Sequence, residues 1–162
     1  MKLVLLRHAD AEPDTGGPLG DPGRALTSLG REQARDSARA LSLLAPMGSR
    51  QIWTSPLVRA VQTAEILAHH WADAQVAVAD ALATGRPVAA QLQLVEELPA
   101  RDATALVGHE PLMAELAAAL LGLPVFPLPF EKGAALILRR LGDRFEFEAF
   151  RAPYREAITA FP

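Results

Sequence analysis

The sequence predicts an α/β fold, a three-layer sandwich with a mainly parallel, mixed sheet and helices on both faces. Three observations carry that prediction. Short apolar runs recur along the 162-residue chain, as in LVLL at 3–6 and ATALV at 103–107, in the manner of strands buried on both faces. The segments between them space their apolar residues helically and carry helix-start and helix-stop residues. The last two apolar segments alternate and are split by Gly142-Asp143, the pattern of a hairpin at a sheet edge.

Residues 2–6 (KLVLL) read as the first strand, and 12–26, rich in Gly, Pro and Asp, as the loop that follows. LTSLGREQARDSARALSLLA then begins a helix with Thr27 or Ser28 as N-cap. Its apolar residues Leu29, Ala34, Ala38, Leu41 and Ala45 recur at roughly helical spacing, and Pro46 and Gly48 stop it. RQIWTSP (50–56) reads as a second strand. SPLVRAVQTAEILAHH reads as a second helix, with Ser55 as N-cap and Pro56 at the first helical position. His69 and His70 close it, where cationic imidazoles suit the negative dipole end.

Residues 75–79 (QVAVA) form a short strand, and a helix over about 88–98 leads to the buried strand DATALVG (102–108). HEPLMAELAAALLG follows as a helix with Pro111 near its start and Gly122 at its end. GAALILRRL and RFEFEAFR make the closing hairpin. Trp53 and Trp71 read as packing residues, Glu110 as a charge favouring a helix N-terminus, and Arg139-Arg140 as a solvated strand end. With no repeat, linker or low-complexity segment, a single domain over 1–162 is expected.

Half of the chain is hydrophobic and its net charge of −3 is spread through mixed acids and bases, so no nucleic-acid partner is expected. The absence of cysteine excludes disulfides, thiolate zinc sites and thiol nucleophiles. Lys2 precedes only four apolar residues before Arg7, too few for a signal-peptide core. The most apolar stretch, 111–130, contains Glu115 and four prolines, which a membrane span rarely tolerates. A cytoplasmic protein without a membrane partner is expected.

Three strand-to-helix junctions carry residues that a junction does not need: Arg7 and His8 after the first strand, Arg59 just inside the second helix, and His109 after the strand ending at 108. Ligands of open α/β sheets bind outside the carboxyl ends of the strands, where all three junctions lie. If those strands are neighbours, two imidazoles and two guanidiniums converge. Arginine grips phosphoryl oxygens bidentately and stays protonated, and helix N-termini add N–H donors. No Walker pattern and no carboxylate cluster point to a nucleotide cradle or to Mg²⁺, so no metal or cofactor is expected. A neutral imidazole can attack phosphorus itself, and flanking arginines favour the neutral form. His109 then suits a further donor to a phosphoryl oxygen. Ser55 is a helix cap with phosphate contact as its rival role.

LLRHADAE, LTSLGREQA, TSPLVRAVQTAEIL and ALVGHEP, in this order, resemble the histidine phosphatase superfamily, once called phosphoglycerate mutase-like, and within it the small bacterial SixA-type phosphohistidine phosphatases. The resemblance runs from residue 2 to about 140 and includes KGAALIL. It implies a histidine-phosphatase-like sheet flanked by helices, with His8 as the phosphorylated nucleophile and Arg7, Arg59 and His109 completing the phosphate pocket. The implied substrate is a phosphohistidine on a protein, such as a phosphorelay or phosphocarrier protein. Ala9 stands where the wider superfamily has Gly, as the SixA-like branch accepts.

The Glu or Asp proton donor of many members has no clear counterpart here. Around 80–87 only Asp80 offers a carboxylate, and Asp10, Glu12 and Asp21 read as solvated loop residues. A phosphoramidate nitrogen takes up a proton itself, whereas an alkoxide needs a positioned acid, which tilts the substrate toward phosphohistidine. Only 49 residues separate Arg59 from His109, leaving little room for a lid and an opening for a protein-borne histidine. A general phosphomonoesterase acting on a sugar or nucleotide phosphate, and a phosphate-binding regulatory protein without turnover, remain the alternatives.

Overall fold

The computed structural model describes residues 1–44, 48–72 and 74–162. Six strands, β1 (Lys2–Arg7), β2 (Arg50–Thr54), β3 (Gln75–Val78), β4 (Ala103–Gly108), β5 (Ala135–Leu141) and β6 (Arg144–Arg151), form one sheet in the order β3-β2-β4-β1-β5-β6. The first four run parallel, while β5 is antiparallel to both β1 and β6. The four helices are α1 (Ser28–Leu44), α2 (Val58–His70), α3 (Val88–Glu97) and α4 (Leu112–Leu121).

Alternation along β1 explains the three layers. Successive side chains of a strand point to opposite faces. Val4 and Leu6 pack with Ala38 and Leu41 of α1 and with Ala60, Ala64 and Leu67 of α2. Leu3 and Leu5 pack on the other face with Val95 of α3 and with Met113 and Leu116 of α4. Both faces are covered, so the middle of β1 and all of β4 are buried and can be apolar throughout.

Most element boundaries fall where the sequence puts them, and the differences have physical causes. Thr27 is the N-cap of α1, its Oγ1 accepting from Gly30 N–H at 2.9 Å. Leu29 does not join the core but stands half exposed at 51%. Ala45 and Pro46, expected near the end of this helix, lie outside the described residues. Gly122 ends α4 in the left-handed conformation, as a helix stop requires.

The second helix departs from expectation at its start. It begins at Val58, with Leu57 at the N-cap and no side-chain cap, so Ser55 and Pro56 stand before it. The reason lies in the sheet: Ser55 N–H donates to Val107 O at 3.0 Å, prolonging the pairing of β2 with β4 past the last strand residue. The loop over 12–26 is also more ordered than its composition suggests. Ala11 bridges to Leu26 and Asp21–Gly23 forms a 3₁₀ turn. Among the described residues no helix is long and apolar enough to cross a membrane.

Candidate active site

Register gathers the three junctions. β4 lies between β1 and β2, with Arg7 opposite Gly108 and Thr54 opposite Val107. Three neighbouring strands therefore end at one level, and the next residues, His8, His109 and Ser55, emerge side by side. The centroids of the His8 and His109 rings are 5.0 Å apart, about the spacing of adjacent strands. Arg59 enters from the first turn of α2, whose side chains lean back toward the helix start.

His8 is held in one tautomer. Its Nδ1 lies 2.7 Å from Ala9 O, and a carbonyl only accepts, so Nδ1 carries the proton and Nε2 the free lone pair. The backbone around it is pinned: His8 N–H donates to Gly108 O at 3.0 Å, and Gly133 N–H donates to His8 O at 3.1 Å. Ala9 N–H reaches Thr63 Oγ1 of α2 at 3.2 Å. Burial pushes the His8 pKa down to about 4, opposed by the Ala9 carbonyl and reinforced by the Arg59, Arg7 and Lys132 cations. The imidazole is therefore neutral at pH 7.

His109, only 2% exposed, sits with Nε2 2.8 Å from Ser55 Oγ, and its Nδ1 is buried without a protein partner among the described residues. Burial, then the neighbouring His8, Arg59 and Arg7, bring its pKa down to about 3, with Asp21 opposing. Ser55 Oγ also accepts from Leu57 N–H at 3.3 Å. Arg7 donates through one terminal nitrogen to Phe130 O at 2.7 Å, while its buried Nε has no partner among the described residues.

Asp21 is the largest departure from the sequence reading. It is not a solvated loop residue: Arg59 donates to Asp21 O at 2.9 Å and to its carboxylate at 3.1 Å, and Arg24 donates to the same carboxylate at 2.7 Å. Burial tends to raise the Asp21 pKa, but the two arginines outweigh it and hold the carboxyl below its ordinary value. Asp10 is also paired rather than free, accepting from Lys132 and from Thr27 Oγ1 at 2.8 Å. Glu12 is exposed, and Asp80 sits on an exposed ion pair with Arg86 at 3.4 Å.

The sequence does not mark Lys132 or Glu110 as site residues. Nothing in a loop lysine or in the residue after a histidine distinguishes them without the fold. The half-buried Glu110 accepts from Ala114 N–H at 3.2 Å, and burial raises its pKa against the pull of Arg7. Among the described residues no group of three or more His, Asp or Glu side chains converges as a metal site requires.

A cluster of cations at the carboxyl ends of parallel strands, around a histidine with a free Nε2, defines an α/β protein suited to handling phosphate, with a candidate histidine nucleophile. Comparison with known proteins places that class more closely. The sequence profile of the histidine phosphatase superfamily (branch 1) matches residues 3–84, half of the chain, and the chain belongs to that family.

Among solved structures it is similar to a candidate phosphohistidine phosphatase SixA from Agrobacterium tumefaciens, at 23% identity and a TM-score of 0.81 over 94% of this chain and 97% of that one. It is similar to the protein histidine phosphatase SixA complexed with tungstate at 24% identity and a TM-score of 0.75, over 94% and 97% of the two chains. A mycobacterial glucosyl-3-phosphoglycerate phosphatase with VO3 matches at 26% identity and a TM-score of 0.71, over 93% and 99%. No curated protein sequence matches significantly. These findings support a phosphatase built on the histidine phosphatase fold.

Proposed function

We propose that the protein hydrolyses phosphohistidine on another protein through a covalent phospho-His8 intermediate, without a metal. The observation that carries this reading is the tautomer of His8: Nδ1–H on the Ala9 carbonyl leaves Nε2 as a neutral nucleophile beside Arg7, Arg59 and His109. In the first step the Nε2 lone pair attacks phosphorus, the P–N bond to the substrate imidazole breaks, and the departing nitrogen takes a proton. In the second step water attacks phosphorus and the P–Nε2 bond breaks. Phosphate leaves, the water's surplus proton passes to solvent, and His8 returns to its neutral form.

Arg7 and Arg59 hold the equatorial oxygens, whose developing charge such donors stabilise by typically ~10²–10³ in rate each. His109 has a distinct place. Ser55 Oγ, which accepts from Leu57 N–H, lies 2.8 Å from His109 Nε2 and holds that ring beside His8. Ser55 then acts as a positioning residue rather than a helix cap or a direct phosphate contact.

The reading requires ³²P from a labelled phosphohistidine peptide to appear on His8 and nowhere else. His8→Ala must lose both the label and the turnover. Label on another residue, or turnover that survives His8→Ala, overturns the mechanism.

One observation favours a second reading, a phosphomonoesterase for small alkyl phosphates. Glu110, half buried with its pKa raised and coupled to Arg7, is a carboxyl group suited to protonating an alkoxide. The mycobacterial neighbour acts on such a phosphate by its name. Glu110→Gln separates the readings. A loss of about 10²-fold on a sugar phosphate, with p-nitrophenyl phosphate unaffected, selects the monoesterase. An unchanged ratio leaves phosphohistidine.

A further inference from the structure

The first helix carries Arg31, Arg35 and Arg39 four residues apart, a single stripe on its surface. Beside it, α2 presents Gln62, Glu65, Ile66, His69 and His70, and the two helices enclose a groove of about 470 Å³. Glu65 is the one acidic side chain among its lining residues. None of the three arginines forms an ion pair or a hydrogen bond with another described side chain, although the whole chain carries a net charge of −3. Arg35, Arg39 and His69 are exposed, and His70 feels both Arg39 and Arg35.

The groove lies over the segment that follows His8. Ile66 on its floor packs against Ala9, the residue after the candidate nucleophile, together with Leu26 and Ala34. Gln62 at its upper end accepts from Leu26 N–H at 2.7 Å, and the adjacent Thr63 binds Ala9 N–H.

We propose that this α1–α2 groove docks an acidic helix of the phosphohistidine-bearing protein, a specificity surface that rests on the function proposed above. Four-residue steps on a helix advance by about 6 Å, so carboxylates at the same spacing on a partner helix laid along the groove meet the arginine stripe in register. Nucleic acid fits less well. The lining residues include no Trp, Tyr or Phe on which bases stack, and the net charge repels a polyanion at distance. Docked charges of this kind govern association rate and partner choice more than the chemistry.

The test uses the intact protein and three fluorescein-labelled probes. They are an amphipathic helical peptide with a glutamate stripe, its glutamine counterpart, and a single-stranded oligothymidylate of equal charge, followed by anisotropy. The glutamate peptide is expected to bind about tenfold tighter than the glutamine one, and to weaken with added salt. The double variant Arg35→Glu/Arg39→Glu is expected to remove that preference, while turnover of p-nitrophenyl phosphate stays unchanged because neither residue belongs to the phosphate pocket. A milder Arg35→Gln/Arg39→Gln variant, expected to give an intermediate loss, guards against misfolding. Equal binding of the two peptides by the unmodified protein overturns the docking surface, as does tighter binding of the oligothymidylate. Preferential binding of the glutamate peptide without any hydrolysis of phosphohistidine peptides leaves the groove standing and removes the substrate reading instead.

Discussion

Gly30 offers a test of how closely the first helix governs the candidate nucleophile. It sits in the first turn of α1, buried, with no room for a side chain. A Cβ built on it lies 1.9 Å from Asp10 O and 2.8 Å from Asp10 C, whereas ordinary contact begins near 3.4 Å, so the two must part by about 1.5 Å. Asp10 cannot move alone. Its carbonyl accepts from Thr27 N–H, its N–H donates to Gln33 Oε1, and it stands two residues beyond His8.

Alanine is the better helix former by about 1 kcal/mol, which opposes the clash, but overpacking against backbone typically costs 1–3 kcal/mol. Because the atoms that must give way are backbone, the stability loss expected of Gly30→Ala lies at or above the top of that range, about 3 kcal/mol. Activity falls as well, because a displacement of about 1 Å at a reacting group is worth on the order of 10² in rate. The assay is kcat/KM on p-nitrophenyl phosphate alongside thermal unfolding, with Gly17→Ala as control, where a Cβ meets nothing within 4 Å. A Gly30→Ala enzyme within about threefold of the unmodified one would refute the claim that this contact positions the nucleophile.

Three further outcomes follow from the same site. With the His8 pKa near 4, kcat/KM is expected to hold steady above pH 5 from the enzyme side and to fall about tenfold per pH unit below 4; a limb near 6.5 that persists with a substrate ionised throughout contradicts the buried imidazole. Stability should also drop on acidification. His8 and His109 have folded pKa values of about 4 and about 3 against 6.5 in the open chain, so the unfolded state binds more protons below 6.5, and roughly 2 kcal/mol per imidazole is lost between pH 7 and 5. Urea titrations at both pH values measure this, and His109→Asn should shrink the difference. Asp21→Asn removes a carboxylate from Arg59 and is expected to tighten inhibition by inorganic phosphate about fivefold, discounted for the 41% exposure of Asp21; a collapse of turnover instead would make Asp21 a participant in the chemistry.

The sequence made the layers, and the junctions that bring Arg7, His8, Arg59 and His109 together, legible for definite reasons. Buried parallel strands leave apolar runs such as residues 3–6, and a charged pair at the end of such a run has no structural motive. What could not be read was distance across elements. Ser55 looks like any helix cap until the pairing of β2 with β4 is known to continue through it. Asp21 and Lys132 lie 13 and 124 positions from His8, and only the folded loops bring them to the same cations and anions. The Glu110 side chain carries no local signal either; its raised pKa arises from burial beside α4.

The contact between Asp21 and Arg59 also bears on how the pocket survives without a ligand. Arg7, Arg59 and Lys132 crowd two neutral imidazoles, and an unpaired guanidinium this buried is costly. Asp21 supplies Arg59 with a negative partner, and Asp10 does the same for Lys132. Arg59 is only 4% exposed with Asp21 in place, so a phosphoryl group that engages it has to displace the carboxylate and with it the 3₁₀ turn of residues 21–23. Because Asp21 is partly exposed and its second partner Arg24 remains available, that exchange trades one charge-assisted contact for another instead of stripping a buried charge bare. Site and loop are thus one electrostatic unit. A substrate that brings its phosphoryl group on a protruding side chain can open this unit from outside, without a lid to enclose it.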